Sequence, residues 1–304
     1  FTWAIFVQYE SGLDRTLGAA LSLALVAMAL GIIGVEFVSR GRARYYRSDP
    51  GSPRPSRLVH LGRWRWPALG LCSLVLVISL VLPASVLVYW AARGMSAGEP
   101  LVLLWGAARN SIMAGGLAAL AAVGAALPIA VLVVRYPGIF SNSLERITHI
   151  GFALPGIAVA LALVFFSANY ATPIYQTLAL LVLAYVVLFV SPAVGALRTT
   201  FLQISPRLEE AARSLGRHPW RVWASITLPL ARPGIASAAA LVFMLVMKEL
   251  PATLILGPVG FGTLATQVWA AASEAFFAQA AVPALMLILL SSVPLGFLIL
   301  RQRG

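Results

Sequence analysis

Charge is what this sequence has least of. Only 11% of its 304 residues are Asp, Glu, Lys or Arg, whereas charged residues make up roughly a quarter of a soluble globular domain. One cysteine, Cys72, lies inside an apolar run, which excludes an intramolecular disulfide and any metal site built on thiolates. His60, His149 and His218 have no metal-ligand spacing, so interfacial or capping roles are expected of them and no metal site is. No Gly-x-x-x-x-Gly-Lys-Ser/Thr loop is present, so the chain is not expected to hydrolyse ATP. No nucleophile and base stand together either, and no catalytic residue is assigned.

What the chain has in abundance is apolar length: 60% of its residues are hydrophobic. Runs approaching the roughly 20 residues that cross a bilayer predict about seven transmembrane helices, at 17–39, 67–91, 108–134, 147–168, 175–197, 234–256 and 281–300. The expected class is an all-α polytopic membrane protein. Pro83, Pro128, Pro155, Pro192, Pro251 and Pro294 fall inside these spans, where freed carbonyls can be satisfied by neighbours, and they predict kinks. Gly115, Gly116, Ala118, Gly124 and Ala125 are small enough for close helix contact.

A net charge of +12 raises the question of nucleic acid. The arginines answer it by clustering between the spans, as charge facing anionic lipid and fixing topology does. Segments 40–66, 135–146, 198–233 and 301–304 hold 18 of the 22 basic residues, leaving Arg15, Arg93, Arg109 and Lys248 elsewhere. Positive charge is retained inside, so these segments are expected to be cytoplasmic, with the amino terminus of the chain periplasmic and the carboxyl terminus cytoplasmic. Trp64, Trp66 and Trp90 suit the interfacial aromatic belt. The Arg- and Pro-rich segment 40–66 reads as a tether at the inner leaflet, basic either to bind anionic lipid or only to fix topology. The opening residues carry no basic region ahead of an apolar one, hence no cleavable signal pattern, and the chain is expected to belong to something longer.

One polar island, Ser205 to Pro229, is too ordered for a linker. Ser205 can N-cap a helix, Pro206 suits its first position, Glu209 and Glu210 sit near its positive end, and Gly216 can close it. Leu208, Ala211, Ala212 and Leu215 then fall on one face with small residues at its centre, open to close approach. An amphipathic helix resting on lipid would carry bulkier apolar residues and flanking lysines.

Within the island stand Glu-Ala-Ala, three residues, Gly, nine residues, Ile, any residue, and Leu-Pro, filled by Glu210, Ala211, Ala212, Gly216, Ile226, Leu228 and Pro229. This pattern resembles the EAA loop of the permease subunits of bacterial ATP-binding-cassette (ABC) importers. The resemblance implies the MetI-like permease fold and a coupling helix at 206–216, within a loop at 198–233, docking on a separate ABC ATPase dimer that binds ATP and Mg. It also implies a periplasmic substrate-binding protein as partner, a location in the bacterial inner membrane, and no cofactor on this chain.

The tether's end, Leu-Gly-Arg-Trp-Arg-Trp-Pro (61–67), with Lys-Glu-Leu-Pro-Ala-Thr-Leu (248–254) and Phe-Gly-Thr-Leu-Ala-Thr (261–266), looks like the iron(III) branch of these permeases, in which two halves are fused. On that likeness, residues 1–39 carry the last periplasmic segment and last span of a preceding half, 40–66 the tether, and 67–304 a six-span permease domain. A second permease half, fused or separate, is implied. The expected function is ATP-driven import of a small solute, ferric iron, by alternating access. Permeases for thiamine, sulfate, phosphonate or polyamine share the architecture.

Lys248 and Glu249 lie within the sixth expected span, where ionisable residues are costly and functional by default. With Pro251 and Thr253 they are candidates for the translocation path or its gate, the alternative being a structural polar contact near Pro251. An ion-coupled secondary transporter or channel would use Lys248 and Glu249 as its coupling pair, but has no need of a docking helix. Adjacent residues point about 100° apart on a helix, so these two should find separate partners. Glu145 and Arg146 are expected to anchor the start of one span, and Asn110 and Ser111 to cap another.

Overall fold

The computed structural model describes residues 15–39, 62–96, 98 and 102–302, with Ile5 and Gln8. Residues 40–61, most of the basic tether and His60 with it, lie outside the described residues. The described residues are helical and contain no strand. In chain order the helices are α1 (Arg15–Ser39), α2 (Gly62–Ser96), α3 (Val102–Arg135), α4 (Ile139–Ala153), α5 (Gly156–Tyr170) and α6 (Leu178–Gln203). They continue with α7 (Pro206–Ser214), α8 (Pro219–Met247), α9 (Pro251–Leu256), α10 (Leu264–Ser273) and α11 (Phe277–Gln302).

Five of these, α2, α3, α6, α8 and α11, are long and apolar enough to cross a membrane, and α4 with α5 makes a sixth if the bent pair counts as one span. The apolar part of α1, Leu17–Ile32, is shorter. Two expected spans are therefore corrected. The run at 147–168 is two helices bent by 101°. Pro155 has no N–H for the carbonyl one turn back and pushes Leu154 out of helical geometry, to φ −68° and ψ 137°. The run at 234–256 begins earlier, at Pro219, and stops at Met247, after which Pro251 opens the short α9.

The remaining prolines behave in two ways. Pro128, Pro192 and Pro294 stay inside continuous helices. Pro83 follows a π turn at Val77–Val81, where Leu82 N–H reaches back five residues to Val77 O. Pro229 follows another at Trp223–Thr227, closed by Leu228 N–H to Trp223 O. A proline ring crowds the carbonyl four residues back, and a turn widened by one residue makes room for it.

The core is the packing of α3, α6 and α8 on one another. Along α3, Ala114, Ala118, Ala122, Ala126 and Ala130 recur every fourth residue and are at most 2% exposed. Such a ridge of small side chains lets helix backbones approach closely, as apolar burial alone cannot drive helices together in lipid. Of the small residues expected to do this, Ala118 belongs to the ridge and Gly115 abuts Phe243 of α8, while a Cβ on Gly116 or Gly124 would meet nothing within 4 Å. At the other extreme, none of the apolar window of α2 is buried, and Leu69, Leu71, Leu74 and Ile78 stand exposed for lipid to cover. Trp64 and Trp66 are also exposed, but Trp90 packs on Phe277 of α11 with ring centroids 5.7 Å apart.

Candidate functional site

The island between Ser205 and Pro229 folds as a short helix between two long ones, and its boundaries are narrower than 198–233. Residues 198–203 complete α6 and 219–233 already belong to α8, because the π turn lets Leu228 and Pro229 sit inside a helix. Pro206 takes the first position of α7 as expected from its fixed φ. Ser205 occupies the N-cap with extended backbone but makes no side-chain capping bond; its carbonyl accepts from Leu208 N–H instead.

The far end is closed by backbone geometry. Gly216 has φ +79°, Arg217 N–H donates to Ala212 O at 3.2 Å, and Gly216 N–H donates to Arg213 O at 2.9 Å. This is the Schellman closure, which needs a residue at ease in the left-handed region. His218 then caps the first turn of α8, its Nδ1 accepting from Trp220 N–H at 3.4 Å.

The four-residue face expected of α7 is divided. Ala212 is 7% exposed against the bundle, while Leu208 and Leu215 are 49% and 83% exposed and Ala211 and Glu210 also face outward. The neighbouring carboxylate turns in: Glu209 Oε1 accepts from Arg135 Nη2 at 2.9 Å and from the Thr227 hydroxyl at 3.1 Å. The same Arg135 nitrogen donates to Ile204 O at 3.1 Å. Ile226, Leu228 and Pro229 are half-buried around this contact. Beside it opens a cavity of about 450 Å³, lined in part by Arg135, Glu209, Arg213, His218 and the stacked rings of Trp220 and Trp223. Arg135 and Thr227 are not singled out by the sequence, and Glu209 reads there only as an acidic residue at the helix start. Separations of 74 and 18 residues carry no local signal.

The candidate path residues gather where α8 ends and α9 begins. Lys248 is exposed and makes no ion pair among the described residues, whereas Glu249 is half-buried and its Oε1 accepts from Ala252 N–H at 3.2 Å, in the first turn of α9. The two do not pair with each other, as expected, but of the separate partners expected only that of Glu249 is found among the described residues. A Cβ on Gly156, the first residue of α5, would lie 2.5 Å from that same oxygen, so the glycine makes room for the carboxylate. Pro251 is the first residue of α9. The Thr253 hydroxyl donates to Glu249 O, which leaves it an acceptor for Tyr185 OH at 2.7 Å. Tyr185, 1% exposed on α6, is a further polar partner absent from the sequence reading.

Three other expected roles change. Asn110 and Ser111 do not cap their own helix: they lie inside α3, and reach across to the start of α10, with Asn110 Nδ2 donating to Gly262 O at 3.0 Å and Ser111 Oγ accepting from Leu264 N–H at 2.8 Å. Glu145 lies within α4 and pairs with Arg198 of α6 at 3.3 Å. His149 bonds Ser191 of α6 at 2.7 Å through Nδ1. Among the described residues no group of three His, Cys, Asp or Glu side chains is placed to hold a metal ion.

Known proteins match this architecture. The pattern of the binding-protein-dependent transport system inner membrane component family covers residues 118–301. The Fe(3+)-transport system permease protein FbpB 2 of Haemophilus influenzae is 37% identical over 303 residues, spanning 98% of this chain and 60% of that protein. The molybdate/tungstate transport system permease protein WtpB of Thermococcus kodakarensis is 30% identical over 49% of this chain and 59% of its own length. The chain thus spans about three fifths of the length of these relatives. A chain of the solved bacterial alginate ABC transporter, in complex with an alginate pentasaccharide-bound periplasmic protein, superposes with a TM-score of 0.62. The match covers 77% of this chain and 92% of that one at 15% identity, a likeness of fold. With the family pattern extending over the α3–α6–α8 core, the inward-turned α7 and the breaks at Pro155 and Pro251, the chain belongs to the binding-protein-dependent transport system inner membrane components.

Proposed function

We propose that this chain is the membrane-embedded part of an ATP-driven importer that carries ferric iron inward by alternating access. The observation that carries the reading is the geometry of α7. It offers Glu210, Ala211, Leu208 and Leu215 outward while its other side is fastened to the bundle through Ala212 and Glu209. A short helix with one free face and one anchored face suits the transfer of motion from a docked subunit to the spans. In this reading an ABC ATPase dimer binds the free face at Glu210, Ala211 and Gly216, while Ala212 of the same docking segment holds it against the bundle and Ile226, Leu228 and Pro229 form its seat. ATP and Mg are held by the ATPase, and closure of the dimer on ATP displaces α7.

Residues 1–39 are then the end of a preceding permease half, joined through 40–66 to the domain at 67–304. The basic side of the membrane is the cytoplasm, and a substrate-binding protein delivers cargo from the periplasm. Iron is favoured as cargo by the 37% identity to an Fe(3+)-transport permease along nearly the whole chain. The path passes Lys248, Glu249, Pro251 and Thr253, where α8 gives way to α9 beside the start of α5. The use of Glu249 to bind Ala252 N–H, apart from Lys248, argues against these two as the coupling pair of an ion-driven transporter.

The test is assembly and uptake with the complete permease and its ATPase. Glu210→Ala or Gly216→Leu should lower both co-purification of the ATPase and iron uptake in proteoliposomes. Undiminished co-purification and uptake in both variants would contradict the docking role. Uptake that prefers molybdate over ferric iron would contradict the cargo.

A further inference from the structure

The adjacent carboxylates of α7 have opposite surroundings. Glu210 is exposed, whereas the side chains of Glu209 and Arg135 are only 15% and 13% exposed. One oxygen, Glu209 Oε1, receives both the Arg135 guanidinium from the end of α3 and the Thr227 hydroxyl from the π turn of α8. The Arg135 nitrogen that binds it also holds Ile204 O, just past the end of α6. Glu209, directly and through Arg135, therefore ties α7 to the ends of α3 and α6 and to the π turn of α8, the three helices that form the core.

We infer that Arg135, Glu209 and Thr227 form a transmission joint, through which displacement of α7 is passed to the three core spans. This rests on the permease reading and adds to it: Glu210 belongs to docking, and Arg135 and Glu209 are positioning residues that act after docking. The joint is stiff because charge-assisted bonds largely removed from water are strong and little screened. It is needed because α7 spans nine residues, buries Ala212 alone among them and is joined to its neighbours by the connections at 204–205 and 215–218. Without the joint the helix could swing on those connections and leave the spans behind. The π turn at Trp223–Thr227 sits beside the joint and supplies the give: its widened ring can tighten as Thr227 is pulled, so a movement of α7 is taken up at the start of α8 before it reaches the rest of the span.

The experiment uses the complete permease with its ATPase and binding protein in proteoliposomes, reading ATPase retention, ATP hydrolysis and solute moved per ATP. Glu209→Gln keeps the shape and loses the charge. It should keep the ATPase bound and hydrolysing within about twofold of the parent, while solute moved per ATP falls about tenfold. Thr227→Val, which removes one hydroxyl and preserves volume, should lower the same ratio about threefold and carries the test if Glu209→Gln fails to fold. The exchange Arg135→Glu with Glu209→Arg should recover part of the ratio, which a mere loss of packing would not allow. Loss of ATPase binding in step with transport would overturn the joint in favour of docking, and an unchanged ratio in Glu209→Gln and Thr227→Val would overturn it outright. Transport by the parent protein without ATP would instead defeat the permease reading, an outcome distinct from either.

Discussion

At Gly156 the absence of one methyl group lets the start of α5 meet the turn between α8 and α9. The Glu249 carboxylate fills the place a Cβ would take while it holds the first turn of α9. Gly156→Ala must push the carboxylate away, and overpacking of this kind costs about 1–3 kcal/mol. Thermal unfolding of the purified protein should show that loss, and adding Glu249→Ala should relieve part of it, since the two changes share one site. Equal and additive losses would mean that the two residues do not press on each other. The sequence marked Glu249 as costly in a membrane but could not name its partner, because Gly156 lies on a different helix and a glycine in an apolar run gives no sign of what it admits. The same limit explains Glu209 and Glu210. Both read as acidic residues at a helix start, and which one turns inward depends on how α7 is rotated against Arg135.

Elements were more legible where their signals are local. Pro206 and Gly216 framed α7 because a fixed φ and a left-handed φ are properties of single residues. Long apolar runs likewise placed α3, α6 and α11 with ends within six residues of those observed. The run at 147–168 reads as one continuous helix but bends by 101°, because a proline in lipid is compatible with either a kink or a break, and the choice falls to the packing around it. Here α5 turns away to lie against α9 and α6. The start of α8 was misplaced for the opposite reason: a polar stretch with prolines reads as loop, although the π turn carries the helix through Pro229. Attachment between elements is open to test at α10, whose first turn is held by Ser111 across 153 residues of sequence. Leu264 is fully buried, so Ser111→Ala should leave its N–H unpaired at a cost of about 1–3 kcal/mol. A lower unfolding temperature with Ser111→Ala, and a smaller change with a surface serine such as Ser96→Ala, is the expected result.

For the molecule as a whole, composition decided the solvent and the arginines decided the expected orientation before any helix was placed. The bundle that results is asymmetric. α3, α6 and α8 pack on one another along the alanine ridge of α3, whereas α2 presents apolar side chains along its described length. A permease needs such a division between a rigid core that transmits movement and a periphery that stays in lipid. The central claim is that movement begins on a partner that binds ATP and enters this chain at α7. The direct measurement is ferric iron uptake into proteoliposomes holding the complete permease and its ATPase, with iron-loaded binding protein outside and the energy source varied. The account predicts uptake with ATP inside the vesicles, none with an imposed proton or sodium gradient alone, and loss of the ATP-driven uptake in Gly216→Leu. Gradient-driven uptake in the absence of ATP, unaffected by Gly216→Leu, would contradict it.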